Sequence, residues 1–356
     1  MHHRQAPIDA LKLVASQAIV LHHLAVYGPV SDALQAAAPR LSDALFDYGR
    51  MAVQVFLVVA GFLAAKSLAP TGRLLTPAPW RMVAQRYLRL VPPLMAALLL
   101  AIACSALARQ AIVAEFIPDV PTSGQLLAHG ALLHSLLGVD ALFAGVWYVA
   151  IDFQLFTLMT ALLWLGRGWA QAWVLGLMLA SLFVFNRNSD LDDWALYFFA
   201  AYGLGAAAFW ASQTRRAGAH LVLLALLAGA GALALGIDFR GRILLALGVA
   251  LLLGLAYWRA QFAPPLTQPA SGMSPWPARW LAIGGNSSYA LFLVHFSVLL
   301  LCNALWIQLG LQGTDALAVV GLGYWVACLG VALLFERWVE RPVSDLFSSS
   351  RMLSTK

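Results

Sequence analysis

Long apolar runs, separated by short polar or Gly- and Pro-rich breaks, set the organisation of this chain. A helix needs about 20 apolar residues to cross the hydrocarbon of a bilayer. Runs of that kind fall at 8–27, 51–69, 88–108, 145–166, 171–186, 194–211, 219–236, 241–258, 284–307 and 315–335. They are continuous rather than alternating, which argues for helices over the strands of a membrane barrel. The pattern predicts an all-α fold, a polytopic transmembrane helix bundle of about ten spanning helices. One apolar stretch, Leu126–Leu137, is too short to span and is expected as an interfacial or re-entrant helix. A single transmembrane domain over 1–347 is expected, with a Pro- and Ser-rich linker at 259–282 and a short tail at 348–356.

Composition strengthens that picture. Of the 356 residues, 62% are hydrophobic and only 11% charged, against about a quarter charged in soluble domains. The net charge of +6 is read as topology, with no nucleic-acid partner. One set of loops holds most of the cations, among them Lys66, Arg73, Arg81, Arg167, Arg215, Arg216, Arg259 and Arg279. The opposite set holds few, such as Arg109 and Arg187, and most of the acids. Positive-inside bias then predicts both termini on the cytoplasmic side of the membrane. Cys104, Cys302 and Cys328 lie in apolar runs without metal-ligand spacing, so no metal site is expected. The first run has no small-residue cleavage site after it and is read as a retained helix.

Polar groups inside apolar runs carry the candidate chemistry, because ionisable groups at membrane depth are costly and mark functional sites. Lys12 and His23 lie on one stripe of the first helix, separated by about 16 Å of helical rise. Asp152 is placed at a depth similar to that of His23, and a carboxylate there would fix an imidazole's tautomer. His295 sits near mid-membrane with Ser288 on the same face. Glu336, Arg337, Glu340 and Arg341 close the last helix and read first as an interfacial salt-bridge lattice. A single buried His is also a common structural hydrogen-bonder, and Asp152 could merely neutralise a cation.

The loop Ala65–Arg89 holds Lys66, Arg73, Arg81, Arg86 and Arg89 and no acid. Arg86 and Arg89 are spaced to project together from a helix start that ends at Val91-Pro92-Pro93. The loop fits lipid headgroups or a polyanionic ligand equally well.

Six motifs, in order, then resemble the acyltransferase-3 family of integral membrane acyltransferases, which includes bacterial polysaccharide O-acetyltransferases. They are Lys12 with His23, where the family has Arg and His; VFLVVAGF from Val55 to Phe62, with Ala60 for Ser; and Arg86, Arg89 and Pro92. Trp147, Asp152, Gln154 and Phe156 follow, with Asp for Glu; then Gly285, Ser288, Tyr289, Leu293 and His295; then Glu340, Arg341 and Pro342. The resemblance covers Ile8 to Pro342. It implies transfer of an acyl group, expected to be acetyl, from cytoplasmic acyl-CoA to a hydroxyl of an extracytoplasmic saccharide. Acyl-CoA would be a donor substrate, with no permanently bound cofactor. His23 would be general base or acyl acceptor, Asp152 would orient it, and Lys12 would lie along the donor's arm. Arg86, Arg89, Lys12 and Arg81 would hold the donor, and His295, Ser288, Tyr289 and Trp147 would line the channel. Membrane lipid and a glycan-assembly protein are the other expected partners. A solute or proton transporter and a non-catalytic scaffold for glycan assembly are the competing readings.

Overall fold

The computed structural model describes residues 6–75, 78–262 and 276–346. The chain folds into helices α1 Ala6–Leu24, α2 Pro29–Ala37, α3 Pro39–Gly49, α4 Ala52–Leu68, α5 Pro79–Ala108, α6 Ser123–Gly130 and α7 Val146–Leu165. These are followed by α8 Ala170–Phe183, α9 Ala195–Ser212, α10 Ala217–Ile237, α11 Gly241–Phe262, α12 Trp276–Asn286, α13 Ser288–Gln308 and α14 Gly313–Phe335. There is no strand among the described residues. Nine helical segments among them are long and apolar enough to cross a membrane, and ten if the bent pair α1–α2 counts as one span. The expected polytopic bundle is what forms.

Two boundaries differ from expectation. The first span does not run on to Tyr27, because α1 ends at Leu24 and the chain bends by 95° into α2. Gly28, at φ +85°, takes a backbone angle that side chains disfavour, and Pro29 starts the next helix in the position where its missing N–H costs least. The third span begins at Pro79 rather than at 88 and carries straight through Pro92 and Pro93. Each proline removes an amide from the helical ladder, yet apolar packing on both sides of the pair keeps the helix continuous. Of the linker expected at 259–282, residues 263–275 lie outside the described residues, while 259–262 end α11 and 276–282 belong to α12; the tail 348–356 lies wholly outside the described residues.

Backbone proximity divides the chain into two compact units. The first comprises 1–14, 53–83 and 151–286. Its core helix is α9, with sixteen of 18 residues buried, flanked by α8 and α11. Small residues let it pack this deeply: a Cβ at Gly61 would lie 1.9 Å from the Tyr202 carbonyl oxygen, and one at Gly205 would lie 2.0 Å from that of Val58. α4 and α9 therefore cross backbone to backbone. α10, by contrast, buries four of 21 residues and turns its Leu-rich remainder outward.

The second unit comprises 15–52, 84–150 and 287–356. α13 is its core, with fifteen of 21 residues buried, and α14 packs beside it with only four of 23 buried. The connection between α5 and α7 turns back along α5. Tyr87, near the start of that helix, donates its hydroxyl to the Gly130 carbonyl at 2.7 Å. Ala108, where α5 ends, is 21 residues and about 30 Å of helical rise further on. The segment expected as interfacial or re-entrant thus carries α6, whose start is closed by a Thr122–Gln125 capping box.

Candidate functional site

Two histidines from opposite ends of the chain meet in the second unit. His23 Nδ1 and His295 Nε2 are 2.6 Å apart, with the rings nearly parallel at a centroid distance of 4.8 Å. His295 Nδ1 lies 3.0 Å from the Leu291 carbonyl. A carbonyl only accepts, so His295 carries its proton on Nδ1 and presents a bare Nε2. That nitrogen accepts from Nδ1–H of His23, which leaves the lone pair of His23 on Nε2. The result is a directed chain, from Leu291 through His295 to His23, that ends on a basic nitrogen. His295 is fully buried and His23 is 8% exposed, so only the last imidazole in the chain meets its surroundings.

Local structure holds this pair from three sides. Asn303, on α13 like His295, accepts from the Val30 amide at 3.0 Å and donates to the Tyr27 carbonyl at 3.1 Å. One side chain thereby bridges the bend that follows α1, a turn beyond His23. Tyr324 of α14 donates to the Val20 carbonyl at 3.3 Å. Rings close the rest: Tyr27 and Phe296 sit edge-on to His23, and Phe292 lies between His295 and Tyr148. The third side is the end of the turned-back segment. Gly145, at φ +94°, would place a Cβ 3.1 Å from the Phe292 ring and 3.9 Å from Cε1 of His23. A side chain there would crowd the Phe292 ring and strain the backbone, so the wall needs glycine.

The remaining candidates divide between the units. Arg86, Arg89, Trp147, Ser288 and Tyr289 belong to the second unit with His23 and His295. Tyr289 donates to the Leu90 carbonyl at 3.1 Å, which ties α13 to the turn of α5 that carries both arginines. Arg86 is half-buried and Arg89 exposed, while Ser288 is buried at the start of α13. Trp147 stacks edge-on against Tyr148 at 6.3 Å. Lys12, Arg81 and Asp152 belong to the first unit. Asp152 is 4% exposed, Lys12 is half-buried, and Arg81 is exposed beside the Trp80 ring. His22 turns away from the pair and hydrogen-bonds the Leu45 carbonyl at 3.0 Å. At the end of α14 the acidic–basic run closes through Glu336 and Arg341, whose charged atoms are 3.0 Å apart.

Sequence reasoning missed Asn303 and Gly145. Nothing in the sequence pairs the Gly28-Pro29 bend with a side-chain amide 275 residues later. It also missed a second imidazole pair in the turned-back segment. His129 and His134 stack at 4.3 Å with their planes 5° apart, and both are buried. His129 Nδ1 donates to the Gln125 carbonyl at 2.8 Å, and its Nε2 accepts from the Leu142 amide at 3.3 Å. Neither nitrogen of His134 has a hydrogen-bond partner. Burial, then the neighbouring His129, pushes His134 down to about 4. Burial also lowers His129, against its bond to Gln125. Among the described residues, no three His, Cys, Asp or Glu gather as metal ligands.

Residues 6–336 match the model of a family described as an acyltransferase domain, Acyl_transf_3. No curated protein and no solved structure matches the chain.

Proposed function

Given that the chain belongs to the acyltransferase-3 family of integral membrane proteins, we propose that it transfers an acyl group, acetyl in the simplest case, from acyl-CoA to a saccharide hydroxyl. The donor is cytoplasmic and the acceptor extracytoplasmic, in a bacterial inner membrane with both termini inside. The observation that carries this reading is the Leu291–His295–His23 chain. It holds one imidazole as the Nδ1–H tautomer and aims its basic nitrogen outward, as a general base requires.

In the direct route, His23 Nε2 takes the proton of the acceptor hydroxyl as that oxygen attacks the thioester carbonyl. The tetrahedral adduct collapses, the carbon–sulfur bond breaks, and the thiolate recovers the proton from His23. During this exchange the charge on His23 is shared with His295, whose bare Nε2 accepts the other ring proton. In the relay route, His23 Nε2 attacks the thioester first and passes the acyl group to the acceptor afterwards. Arg86 and Arg89 suit the donor's phosphates. Lys12 and Asp152 keep the roles that the family resemblance implies for them. Ser288, Tyr289 and Trp147 line the path.

Mass spectrometry of envelope glycans from cells with and without the gene tests the reading directly. An acyl mass increment that depends on the gene supports it. His23→Ala, inserted at parental level, should abolish the increment, since general-base catalysis contributes about 10²–10⁴ in rate. An unchanged increment would remove His23 from the chemistry. Solute uptake into liposomes with no acyl transfer would favour a transporter.

A further inference from the structure

The first unit contains a pocket of about 700 Å³ that the catalytic scheme does not use. Lys66 at the end of α4, Gln213 and Arg215 at the α9–α10 corner, and Tyr257, Gln261 and Phe262 at the end of α11 line it. The volume falls in the range of small-molecule sites, about 300–1,000 Å³. Two cations face this space, and among the described residues no acid lines it.

The walls are built without help from a ligand. Trp210 Nε1 donates to the Ala69 carbonyl at 2.8 Å, joining α9 to the end of α4. Trp258 Nε1 donates to the Thr214 carbonyl at 3.0 Å, and the Gln261 amide donates to the Ser212 carbonyl. Both bonds fix the corner that presents Arg215. His220, fully buried, stacks on Trp258 at 4.6 Å and hydrogen-bonds the Ala211 carbonyl from behind. Lys66 Nζ stands 5.5 Å from the centre of the Tyr257 ring, so an aromatic face steadies the cation. Phe262, 55% exposed, offers a flat apolar surface at the rim.

Scattered loop cations need no explanation beyond positive-inside bias. Cations that converge on one cavity, on braced elements and beside aromatic surface, do. We propose that this pocket binds the phosphate of a ligand that also lays a flat or apolar group against the aromatic wall. Two sources carry that chemistry: the nucleotide end of a thioester donor, and the headgroup of an anionic phospholipid. Only the first rests on the acyl-CoA reading.

The test uses the full chain in nanodiscs of zwitterionic lipid, titrated with adenosine 3′,5′-bisphosphate, and the same protein in discs doped with phosphatidylglycerol, with lipid retention read by native mass spectrometry. Lys66→Gln and Arg215→Gln should each weaken one of the two probes about tenfold, and the double variant about a hundredfold, the loss expected for charge-assisted bonds to phosphate. Loss confined to the bisphosphate assigns the pocket to the donor's nucleotide. Loss confined to the lipid assigns it to the headgroup. Arg216→Gln, adjacent but outside the lining, should change neither. The proposal is overturned if the parent takes neither probe, if the double variant binds both like the parent, or if Arg216→Gln costs as much as the lining variants. His23→Ala should leave probe binding intact while stopping transfer, so failure of this site and failure of the acyl-transfer reading give different results.

Discussion

The second unit holds two pairs of imidazoles, and they are bonded in opposite ways. In the His23–His295 pair, the nitrogens that face each other share a hydrogen bond, and the chain that anchors them runs in one direction to a free lone pair. In the His129–His134 pair, the rings stack face to face and share no hydrogen bond. There the work falls to His129 alone, which spends both nitrogens on backbone and pins Leu142 beside α6. Burial alone does not make a histidine reactive. What separates the pairs is whether the hydrogen bonds lead outward to a base or inward to a carbonyl and an amide at both ends. The first arrangement stores a proton acceptor; the second stores a fold.

The comparison breaks most easily at His295. Leu in its place removes the acceptor for Nδ1–H of His23 and lets that ring rotate and change tautomer. Losing the group that fixes the tautomer of a general-base histidine costs up to about 10⁴-fold in a Ser-His-Asp triad, so on the proposed mechanism acyl transfer per inserted molecule should fall by at least about tenfold. His295→Gln, whose carbonyl oxygen can still accept, should recover part of it. A His295→Leu variant that transfers at the parental rate would reduce the pair to a structural contact. The matching change in the other pair, His129→Leu, should lower the amount of folded protein more than the rate per molecule.

A smaller effect is expected one turn away. Asn303→Ala leaves the Val30 amide and the Tyr27 carbonyl without their side-chain partner at the α1–α2 bend. A buried backbone group left unsatisfied costs about 1–3 kcal/mol, which should appear as a lower midpoint of thermal unfolding. Asn303→Asp keeps the acceptor for Val30 but sets a carboxylate oxygen against the Tyr27 and Leu299 carbonyls in a fully buried site, and should fall at or below Ala. Equal midpoints for all three would mean that the bend holds without Asn303.

These cases show what the sequence alone could and could not reveal. The spans were legible because bilayer thickness imposes run lengths on any membrane helix, whatever its tertiary partners. The return of the Leu126–Leu137 stretch was legible for the same reason, since a run too short to cross must stay at the surface or turn back. His23 and His295 were each recognisable as polar groups at depth. Their contact was not, because 272 residues separate them and register between helices is set by packing, as at Gly61 and Gly205. Depth along a helix put Asp152 level with His23, but depth cannot choose a neighbouring helix, so the bond between His23 Nδ1 and His295 was not legible. The expected span 88–108 already ran through Pro92 and Pro93; what was not legible is that the helix begins nine residues earlier, at Pro79. Local propensity ends a helix at Pro92-Pro93, whereas a long apolar helix held by its neighbours continues through them.

The smallest effect should come from His134, and it sharpens the contrast between the pairs through pH. Burial holds this ring down to about 4, while an exposed or unfolded histidine titrates near 6.5. Above 6.5 both states are neutral and the shift contributes nothing that changes with pH. Between 6.5 and 4 the unfolded chain binds a proton that the folded chain refuses, so stability falls as pH falls. Below about 4 the folded ring titrates too, and the dependence ends. Thermal unfolding in nanodiscs at pH 7.5 and pH 5 should therefore show a lower midpoint at pH 5. Part of the drop should vanish in His134→Phe, which keeps a flat ring against His129 but has nothing to protonate. Hydrogen exchange should place the loosening in residues 123–145, the segment His129 pins. If His134→Phe keeps the full pH dependence, the orphaned ring is not its source and the second pair is held by packing alone.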